Sequence, residues 1–584
     1  MKYKFEIGAF VMAFDGIVTK SIVAELQNNI IGAKINKVFE PSKNEIILGL
    51  YSNKKNLALN LCINPSNYRI NLTTNSKPRP FKAPNFCMLL RKHLIGNRIV
   101  DISTFDLERV IVFTLEGYNE LNDLIQKKLI VELMGKHSNI ILINNSNRII
   151  DSLRHLDSTQ KSSRDILPAR VYEFPTTNKI SFLNINRFEE FYKIILPKLE
   201  NSSLSKSISN TFTGISNSFI LSCLNELNCK NINDKTTIES LFYYMKNIIN
   251  NIGTKNVSCK LLSTNDKINN DYSVVLQENN SLFNINFFID DFYTNKENTE
   301  MFKTYRNNVL KLILSELQKY TKRLANINKK LSECNNMEIY RLYGELLTAN
   351  LYKLHNNTDS ITVENYYENN SPITIPLDIR FSPAKNVQMF FKKYSKLNNA
   401  LKVVQLQKKD TEKNLNYIES LVFSIENSNT ISEIDEIYTE LSESALFKDV
   451  LSNKNKSTNK KTSNAISSPK EFKIDGFTIL VGKNNKQNDY LTLKIANRND
   501  MWFHTQKIHG SHVILKCDNN VSPTQEILIK CAELAAYYSK AKQSSNVPVD
   551  YTLVKYVKKP SGAKPGMVTY VNYKTIFVTP PKEI

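Results

Sequence analysis

Residues 310–331 read LKLILSELQKYTKRLANINKKL, and their apolar positions decide how the chain is built. Leu310, Ile313, Leu317, Tyr320, Leu324, Ile327 and Leu331 are spaced alternately three and four apart without a miss. A repeat averaging 3.5 residues keeps one stripe of an α-helix against a partner, so this is the seam of a coiled coil. A second series runs through Leu397, Leu401 and Val404, is interrupted by polar Lys408 and Thr411, and resumes at Leu415, Ile418, Val422 and Ile425. Two such helices in one chain predict an antiparallel arm, in which about 34 helical residues span about 50 Å at 1.5 Å each. Between them, Ile361–Tyr367 and Pro372–Asp378 are strand-like and belong at the arm's far end. Taken alone, such an arm is a rigid spacer.

Upstream of the arm, Phe14–Ile31 has helical spacing with Gly32 as its stop. Short β-branched or alternating runs follow at Ala33–Phe39, Glu45–Tyr51, Asn56–Ile63 and Tyr68–Leu72. Turns rich in Asn, Ser, Lys and Pro separate them, which predicts an antiparallel meander. A basic proline-punctuated loop, Lys77–Pro84, leads into a helix at Asn85–Leu94, and more strands are expected at Ile99–Phe105, Val110–Leu115, Lys128–Glu132 and Asn139–Asn144. Phe188–Leu196 and Ile238–Ile252 look helical. Thr211–Ile220 between them is a glycine turn opening into a helix, either a helix-hairpin-helix with amides for a phosphate or a plain helical connector.

Downstream, residues 452–464 contain no apolar side chain and read as a flexible basic linker. From Lys470 to the end, 17 Lys and Arg face 9 Asp and Glu, a net of +8. The whole chain of 584 residues carries +21, so over a third of the surplus sits in about a fifth of the length. Such a surplus points to a polyanionic partner, nucleic acid or an anionic membrane surface. No run of about 18 apolar residues exists to cross a membrane. The N-terminus lacks the long apolar core of a signal peptide. Eight scattered cysteines form no C-x-x-C pair, as expected of reduced thiols in a cytoplasmic protein.

The densest group of polar functional side chains is Asn497–His512. His504, His509 and His512 fall within nine residues, but H-x4-H-x2-H fits no standard zinc pattern, so neither a metal nor a cofactor is expected. Ser511, His512 and Asp500 lack the G-x-S-x-G elbow of a hydrolase. The reading preferred is strand, basic loop, strand, with Trp502 as a base-stacking platform and cations on phosphates. A Trp and His pair packed in a β-core stays open as the alternative. No GxxxxGK[ST], GxGxxG or paired-carboxylate motif occurs, so neither a nucleotide motor nor a GTPase is expected.

Several longer motifs resemble the NFACT family. Met12–Ile17, Pro84–Lys92, Glu132–Asn139 and Arg164–Pro168 are similar to its N-terminal domain. Pro376–Asp378, Pro383–Asn386 and Phe391–Tyr394 are similar to its middle segment. Asn488–Leu491, Asp500–His504, Gly510–Val513, Leu534–Ser539, Val549–Tyr551 and Lys559–Gly566 are similar to its C-terminal RNA-binding domain. The resemblance implies an α+β multidomain chain. Its parts would be a glycosylase-like α/β domain (1–175), a helix-hairpin-helix or helical region (176–300) and a first coiled-coil helix (301–336). A middle segment (337–390), a second helix (391–450), the basic linker (451–469) and a small α+β RNA-binding domain (470–584) would follow.

The resemblance also implies a function. Such factors bind a large (50S) ribosomal subunit obstructed by peptidyl-tRNA, acting as monomers, and contact 23S rRNA. They recruit alanyl-tRNA and support mRNA-independent alanine tailing of the stalled chain, assisted by an RqcP-like helper protein, while the ribosome forms the peptide bonds. Expected tRNA contacts are Asp15, Arg91, Lys92, Glu108, Arg109, Lys136, His137 and Asn139. Expected rRNA contacts are Arg498, Asp500, Trp502, His504, Lys507, His509, Ser511, His512, Lys558, Lys559 and Lys564. Glu108-Arg109 stands where the family carries Asp-Arg, and Met1–Val11 is an extension or an upstream start. Two other readings compete: a surface adhesin for fibronectin, from a label carried by some family members, and a nucleic-acid-modifying enzyme on the glycosylase-like domain.

Overall fold

The computed structural model describes residues 14–78, 80–119, 121–157, 164–200, 202–228, 234–254, 256–264, 267–277, 284–355, 358–448, 467–517 and 523–583. Met1–Val11, the Met12 end of the first motif and most of the expected linker lie outside the described residues. The chain forms two compact units, Met1–Asn298 and Thr299–Ile584.

In the first unit, helix α1 (Gly16–Ile30) precedes strands β1 (Lys34–Ser42), β2 (Glu45–Ser52), β3 (Lys55–Cys62) and β4 (Arg69–Leu72). Helix α2 (Asn85–Leu94) then leads to β5 (Arg98–Thr104), β6 (Val110–Tyr118), β7 (Leu124–Glu132), β8 (Asn139–Asn144) and β9 (Ile149–Ser152). The nine strands form one antiparallel sheet in the order β4-β3-β2-β1-β5-β6-β7-β8-β9, two meanders joined where Lys34 meets Arg98. Ile17, Val18, Ile22, Leu26 and Ile30 of α1 are buried in the same core as alternate strand residues such as Ile35, Leu48, Leu59 and Ile99. The helix stops because Gly32 takes a φ of +80°, a conformation only glycine adopts freely.

Helices α3 (Phe188–Leu199), α4 (Leu204–Thr211), α5 (Asn217–Glu226) and α6 (Lys235–Asn250) extend this core. A hairpin, β10 (Val257–Thr264) and β11 (Lys267–Leu276), follows, which no sequence pattern announced. The turn from α4 to α5 does not lie open. Gly16 donates its N–H to Gly214 O at 2.9 Å, and a Cβ on Gly214 would meet Leu107 O.

The expected arm is built from α7 (Ile285–Asn335) and α9 (Pro383–Glu426). Within the second unit, Val309 and Ile313 pack with Tyr417, Ile418, Leu421 and Ile425, as an antiparallel pairing requires. Helix α7 begins sixteen residues before the expected 301, and α9 ends well short of 450. It ends there because Thr430 caps a new helix, α10 (Ile431–Glu443), by accepting from Glu433 N at 3.3 Å. Helix α8 (Met337–Ala349) and the hairpin β12 (Ser360–Asn365) and β13 (Ser371–Pro376) share a separate small core of Leu346, Leu347, Val363, Ile375 and Val387. Both hairpin strands match the expected strand-like pieces.

The last part of the second unit holds an antiparallel sheet of β14 (Lys470–Ile474), β15 (Phe477–Val481), β16 (Met501–Thr505), β17 (Val513–Leu515), β18 (Val547–Leu553) and β21 (Lys574–Val578), in the order β14-β15-β17-β16-β18-β21. Two short strands, β19 (Val557–Lys558) and β20 (Thr569–Tyr570), pair separately. Helix Gln525–Tyr537 covers one sheet face, where Phe503, Val513, Cys531 and Ala535 are buried. The opposite face is also covered: Trp502 and Ile514 are buried there with Leu491, Val554 and Val557. A sheet buried on both sides presents no stacking platform.

Candidate nucleic-acid interface

In the first unit, Glu108 and Arg109 stand just before β6, after Asp106 at a φ of +53°. Arg109 donates to the Tyr68 hydroxyl at 3.2 Å and lies 5.9 Å from that ring's centre, which aims the guanidinium. Both residues are half-buried. Burial raises the Glu108 carboxyl, while Arg109 and Lys179 pull it back down.

Asp15 lies within charge range of Arg109 but not at the surface. It caps α1 by accepting from Val18 N at 3.0 Å and takes a 2.6 Å bond from Ser216 Oγ, the cap of α5. It is 4% exposed, and burial pushes its carboxyl up to about 6. The expectation of a direct tRNA contact by Asp15 is therefore corrected: its carboxylate joins two helix starts and faces no solvent.

Asn139 is likewise internal, fully buried, donating to Arg154 O at 2.7 Å and accepting from Arg154 N at 3.0 Å. It holds the turn whose short helix, Gly135–His137, leaves Lys136 and His137 exposed. Lys92 is exposed at the end of α2, while Arg91 is partly buried and donates its Nε to Val38 O at 3.0 Å. Arg91 and Lys92 sit on α2, Lys136 and His137 on the turn between β7 and β8, and Glu108-Arg109 just before β6. Among the expected tRNA contacts, Asp15 is a residue distant in sequence that comes within charge range of Arg109.

In the RNA-binding candidate domain, β16 and β17 flank the loop as expected, but the side chains divide differently. Trp502 is fully buried, stacked on His504 at 5.7 Å and against Tyr570 at 4.8 Å. His512 is buried and shares a 2.7 Å hydrogen bond with Thr492, and Ser511 is buried beside it. Asp500 accepts from Lys516 Nζ at 2.8 Å, Asn497 N at 2.7 Å and Cys517 N at 3.0 Å. Burial holds His504 down to about 4 and His512 well below its usual value, so both rings are neutral at pH 7 and offer no cation. Asp500, Trp502, Ser511 and His512 are core, because the apolar run of strand alternation here is covered on both faces.

The exposed members of the expected set are Arg498, Lys507 and Lys558. Lys555, exposed as well, is set beside Arg498 by a backbone bond from Lys555 N to Arg498 O at 3.2 Å. Lys494 and Lys574 are also exposed. These three were missed, although Lys555 belongs to the same basic run as Lys558 and Lys559. Lys559 pairs with Asp489, and Lys564 with Asn414 on α9 while lying 4.6 Å from the Tyr417 ring centre. His509 faces Glu419 on α9 at 3.3 Å.

Helix α10 supplies more acid. Glu433 meets Lys483 at 3.4 Å, Glu443 meets Lys486 at 2.8 Å, and Glu436 accepts from Asn484 at 2.6 Å. Part of the cationic surplus is thus neutralised within the unit, and Arg498, Lys507, Lys555 and Lys558 remain displayed. Such a set contacts phosphates electrostatically and carries no base readout by itself.

Among the described residues one acidic and thiol group is close enough for a metal: Glu45, Cys62 and Glu297. Lys77 already bridges both carboxylates at 2.5 and 2.9 Å, and Arg69 meets Glu297 at 2.7 Å, so cations of the chain itself occupy that role. No helix among the described residues is long and apolar enough to cross a membrane.

The comparisons with known proteins agree along the chain. Residues 15–462 match the NFACT N-terminal and middle domains, and residues 470–572 match the NFACT protein RNA binding domain. The chain is 35% identical over 581 residues to the Rqc2 homolog RqcH of Bacillus subtilis, covering 97% of this chain and 98% of that one. It is 34% identical over 583 residues to the Rqc2 homolog RqcH of Streptococcus suis, covering 98% and 99%. A solved structure of the C-terminal part of a fibronectin/fibrinogen-binding protein from Streptococcus suis is 33% identical, covering 48% of this chain and 96% of that one, with a TM-score of 0.37. Two domain matches in order and near-complete alignment with the Rqc2 homologues place this chain in the NFACT family, with both its N-terminal and middle domains and its RNA-binding domain.

Proposed function

We propose that this chain is a ribosome-associated quality-control factor that binds large subunits obstructed by peptidyl-tRNA. It recruits a charged tRNA, alanyl-tRNA by family resemblance, and promotes mRNA-independent alanine tailing of the stalled chain. The observation that carries this reading is the alignment of nearly the whole chain with two Rqc2 homologues, RNA-binding domain included. The displayed cations Arg498, Lys507, Lys555 and Lys558 support it, since neutralising phosphates supplies affinity without a nucleotide-hydrolysing site.

On this reading the factor positions substrates and leaves bond formation to the ribosome, so its catalytic contribution is proximity. It acts in the cytoplasm as a monomer on the particle, with 23S rRNA and an RqcP-like protein beside it. On the same reading residues 1–175 carry the glycosylase-like fold and residues 176–300 the helix-hairpin-helix. The test is co-sedimentation of the full chain with obstructed large subunits, followed by sequencing of the RNAs that copurify from cells. Enrichment of 23S rRNA with one tRNA isoacceptor family supports the reading. Absence of the chain from large-subunit fractions overturns it.

A further inference from the structure

Strand β1 carries a carboxylate where its alternation calls for an apolar side chain. Val38 is core, and Glu40, two residues on along the same strand, is buried with it at 5% exposure. The register against β2 shifts just there, between Phe39 and Ser42, as at a bulge. Part of the Glu40 carboxylate has a plain role. It accepts from the N–H of Cys87 in the first turn of α2, whose cap residue, Pro84, supplies no side-chain bond. The rest has none: Oε2 is buried without a hydrogen-bond partner, and no cation among the described residues pairs with it. Burial pushes this carboxyl above its usual range, and an orphaned buried acceptor costs stability. A glutamine would cap α2 as well and leave no charge inside, so capping alone does not account for a glutamate.

Glu40 borders a cavity of about 210 Å³ whose walls include Phe39, Pro80, Phe81, Pro84 and Arg91. At about 30 Å³ for each water, it has room for about seven. That is below the roughly 300–1,000 Å³ of a site for a drug-sized molecule. Four of these walls are apolar, and Phe81 lines the cavity while fully exposed, so solutes can enter. Arg91 brings the opposite charge. Val38 O and the Met88 sulfur each take one of its N–H donors, and a guanidinium has more to give. Glu40 and Arg91 thus line one small cavity and both act on the Cys87 thiol, yet they form no ion pair with each other.

We propose that this cavity binds a small apolar α-amino acid, with its ammonium on Glu40 Oε2 and its carboxylate on Arg91. A zwitterion satisfies both charged groups at once and adds no net charge. A plain amine would serve Glu40 but set a second cation beside Arg91. A plain carboxylate would leave Oε2 orphaned and set a second anion near it. The ammonium gives the buried oxygen the charge-assisted bond it lacks, and the guanidinium fork suits a carboxylate. Phe39, Pro80, Phe81 and Pro84 then take the side chain, which the volume limits to a small aliphatic one. The proposal goes beyond the ribosomal reading and does not depend on it, since a free amino acid reaches the cavity wherever the chain works.

The test is equilibrium dialysis of the full chain against radiolabelled valine. Valine should bind saturably, and alanine or leucine should displace it. Tryptophan, too large for the cavity, should not. Neither should isobutylamine, which is valine without its carboxylate, nor isovalerate, which is valine without its ammonium. Glu40→Gln keeps an acceptor for Cys87 N–H, so its thermal midpoint should equal or exceed the native one while valine binding falls on the order of 10–100-fold. Phe81→Ala alters an exposed ring, where folding is not at stake, and should weaken valine several-fold. Four results overturn the proposal. The native chain binds none of the three aliphatic amino acids. Isobutylamine displaces valine as well as leucine does, which makes the site one for organic cations. Guanosine binds where amino acids do not, which makes it a nucleobase site. Valine binds Glu40→Gln and Phe81→Ala as tightly as the native chain, which leaves Glu40 a helix cap and nothing more.

Discussion

Arg164 grips Glu132 through two parallel hydrogen bonds, of 3.0 and 2.9 Å, across 32 residues of sequence. Glu132 is fully buried and also accepts from the Tyr172 hydroxyl at 2.8 Å. The bond joins two of the motifs that resemble the family, Glu132–Asn139 and Arg164–Pro168, and gives them a structural reason to occur together. Removing the guanidinium leaves a buried carboxylate without its charge partner. Arg164→Ala should therefore cost about 3–5 kcal/mol. The thermal midpoint of the first unit should fall on the order of 10 °C, read by circular dichroism. Arg164→Lys keeps the charge but loses the fork, so its loss should be smaller. A variant with the native midpoint would show that the pair adds nothing.

Asp15 gives a pH dependence with a definite sign. Its folded value, about 6, lies above the ordinary 3.8, so the folded state holds the proton more tightly than the unfolded chain. The stability linked to this group is complete below about 3.8 and is lost as the pH rises through about 6. The shift corresponds to about 3 kcal/mol. Asp15→Asn keeps a residue that caps helices well and removes the titration. Urea unfolding of the variant should show a flatter stability profile between pH 4 and 6 than the native chain. An unchanged profile would mean that another group sets the slope.

Trp502 is the chain's single tryptophan and is fully buried, so its fluorescence reports on the role of its ring. Titration with RNA should leave its emission unquenched and unshifted, because no base reaches it. Trp502→Ala should cost about 3–5 kcal/mol through the cavity it leaves. Any loss of RNA binding should track unfolding of the domain. Quenching by RNA in a folded protein would restore the stacking reading.

What the sequence made legible, and what it hid, follows from the range of the forces involved. The seam from Leu310 to Leu331 is a local repeat, and helix periodicity needs only neighbours along the chain. Helix Asn85–Leu94 and strands β2 and β8 were equally local in their signals. Trp502 was not, because its burial depends on Leu491, Val554 and Val557 closing the second face of the sheet. The role of Asp15 was hidden for the same reason: Ser216, which donates to it, is 201 residues away. Strand alternation says which side chains share a face but not whether that face meets water. The neutralisation of Lys483 and Lys486 by α10 was hidden too, since net charge counts residues and not their partners.

Arg109 is held by Tyr68, and the family resemblance makes it a tRNA contact, whereas the expected rRNA contacts lie in the RNA-binding domain. Arg109→Ala should lower association with charged tRNA at least tenfold, given that a charge-assisted hydrogen bond contributes about 1.5–3 kcal/mol. Co-sedimentation with large subunits should persist, since the RNA-binding domain is untouched. Tyr68→Phe should weaken tRNA binding less, because the ring remains beneath the guanidinium. Equal loss of tRNA and subunit binding in Arg109→Ala would refute the division.

The displayed cations of the last domain make the final prediction, and their neutralised neighbours provide its control. Arg498, Lys507, Lys555 and Lys558 are exposed, whereas Lys483 and Lys486 are held by acids of α10. Glutamine at the four exposed positions should weaken RNA binding and reduce the salt slope by about 0.7–0.9 for each phosphate left without its cation. Glutamine at Lys483 and Lys486 should leave the slope nearly unchanged, because those ammonium groups neutralise carboxylates and release no counterions from RNA. Filter binding across 50–200 mM salt measures both, a range over which 6–10 phosphate contacts change affinity by about 10³–10⁵. If the two variants lose slope equally, α10 must let go of the domain when RNA arrives, and the acids of that helix then compete directly with phosphate for the same cations.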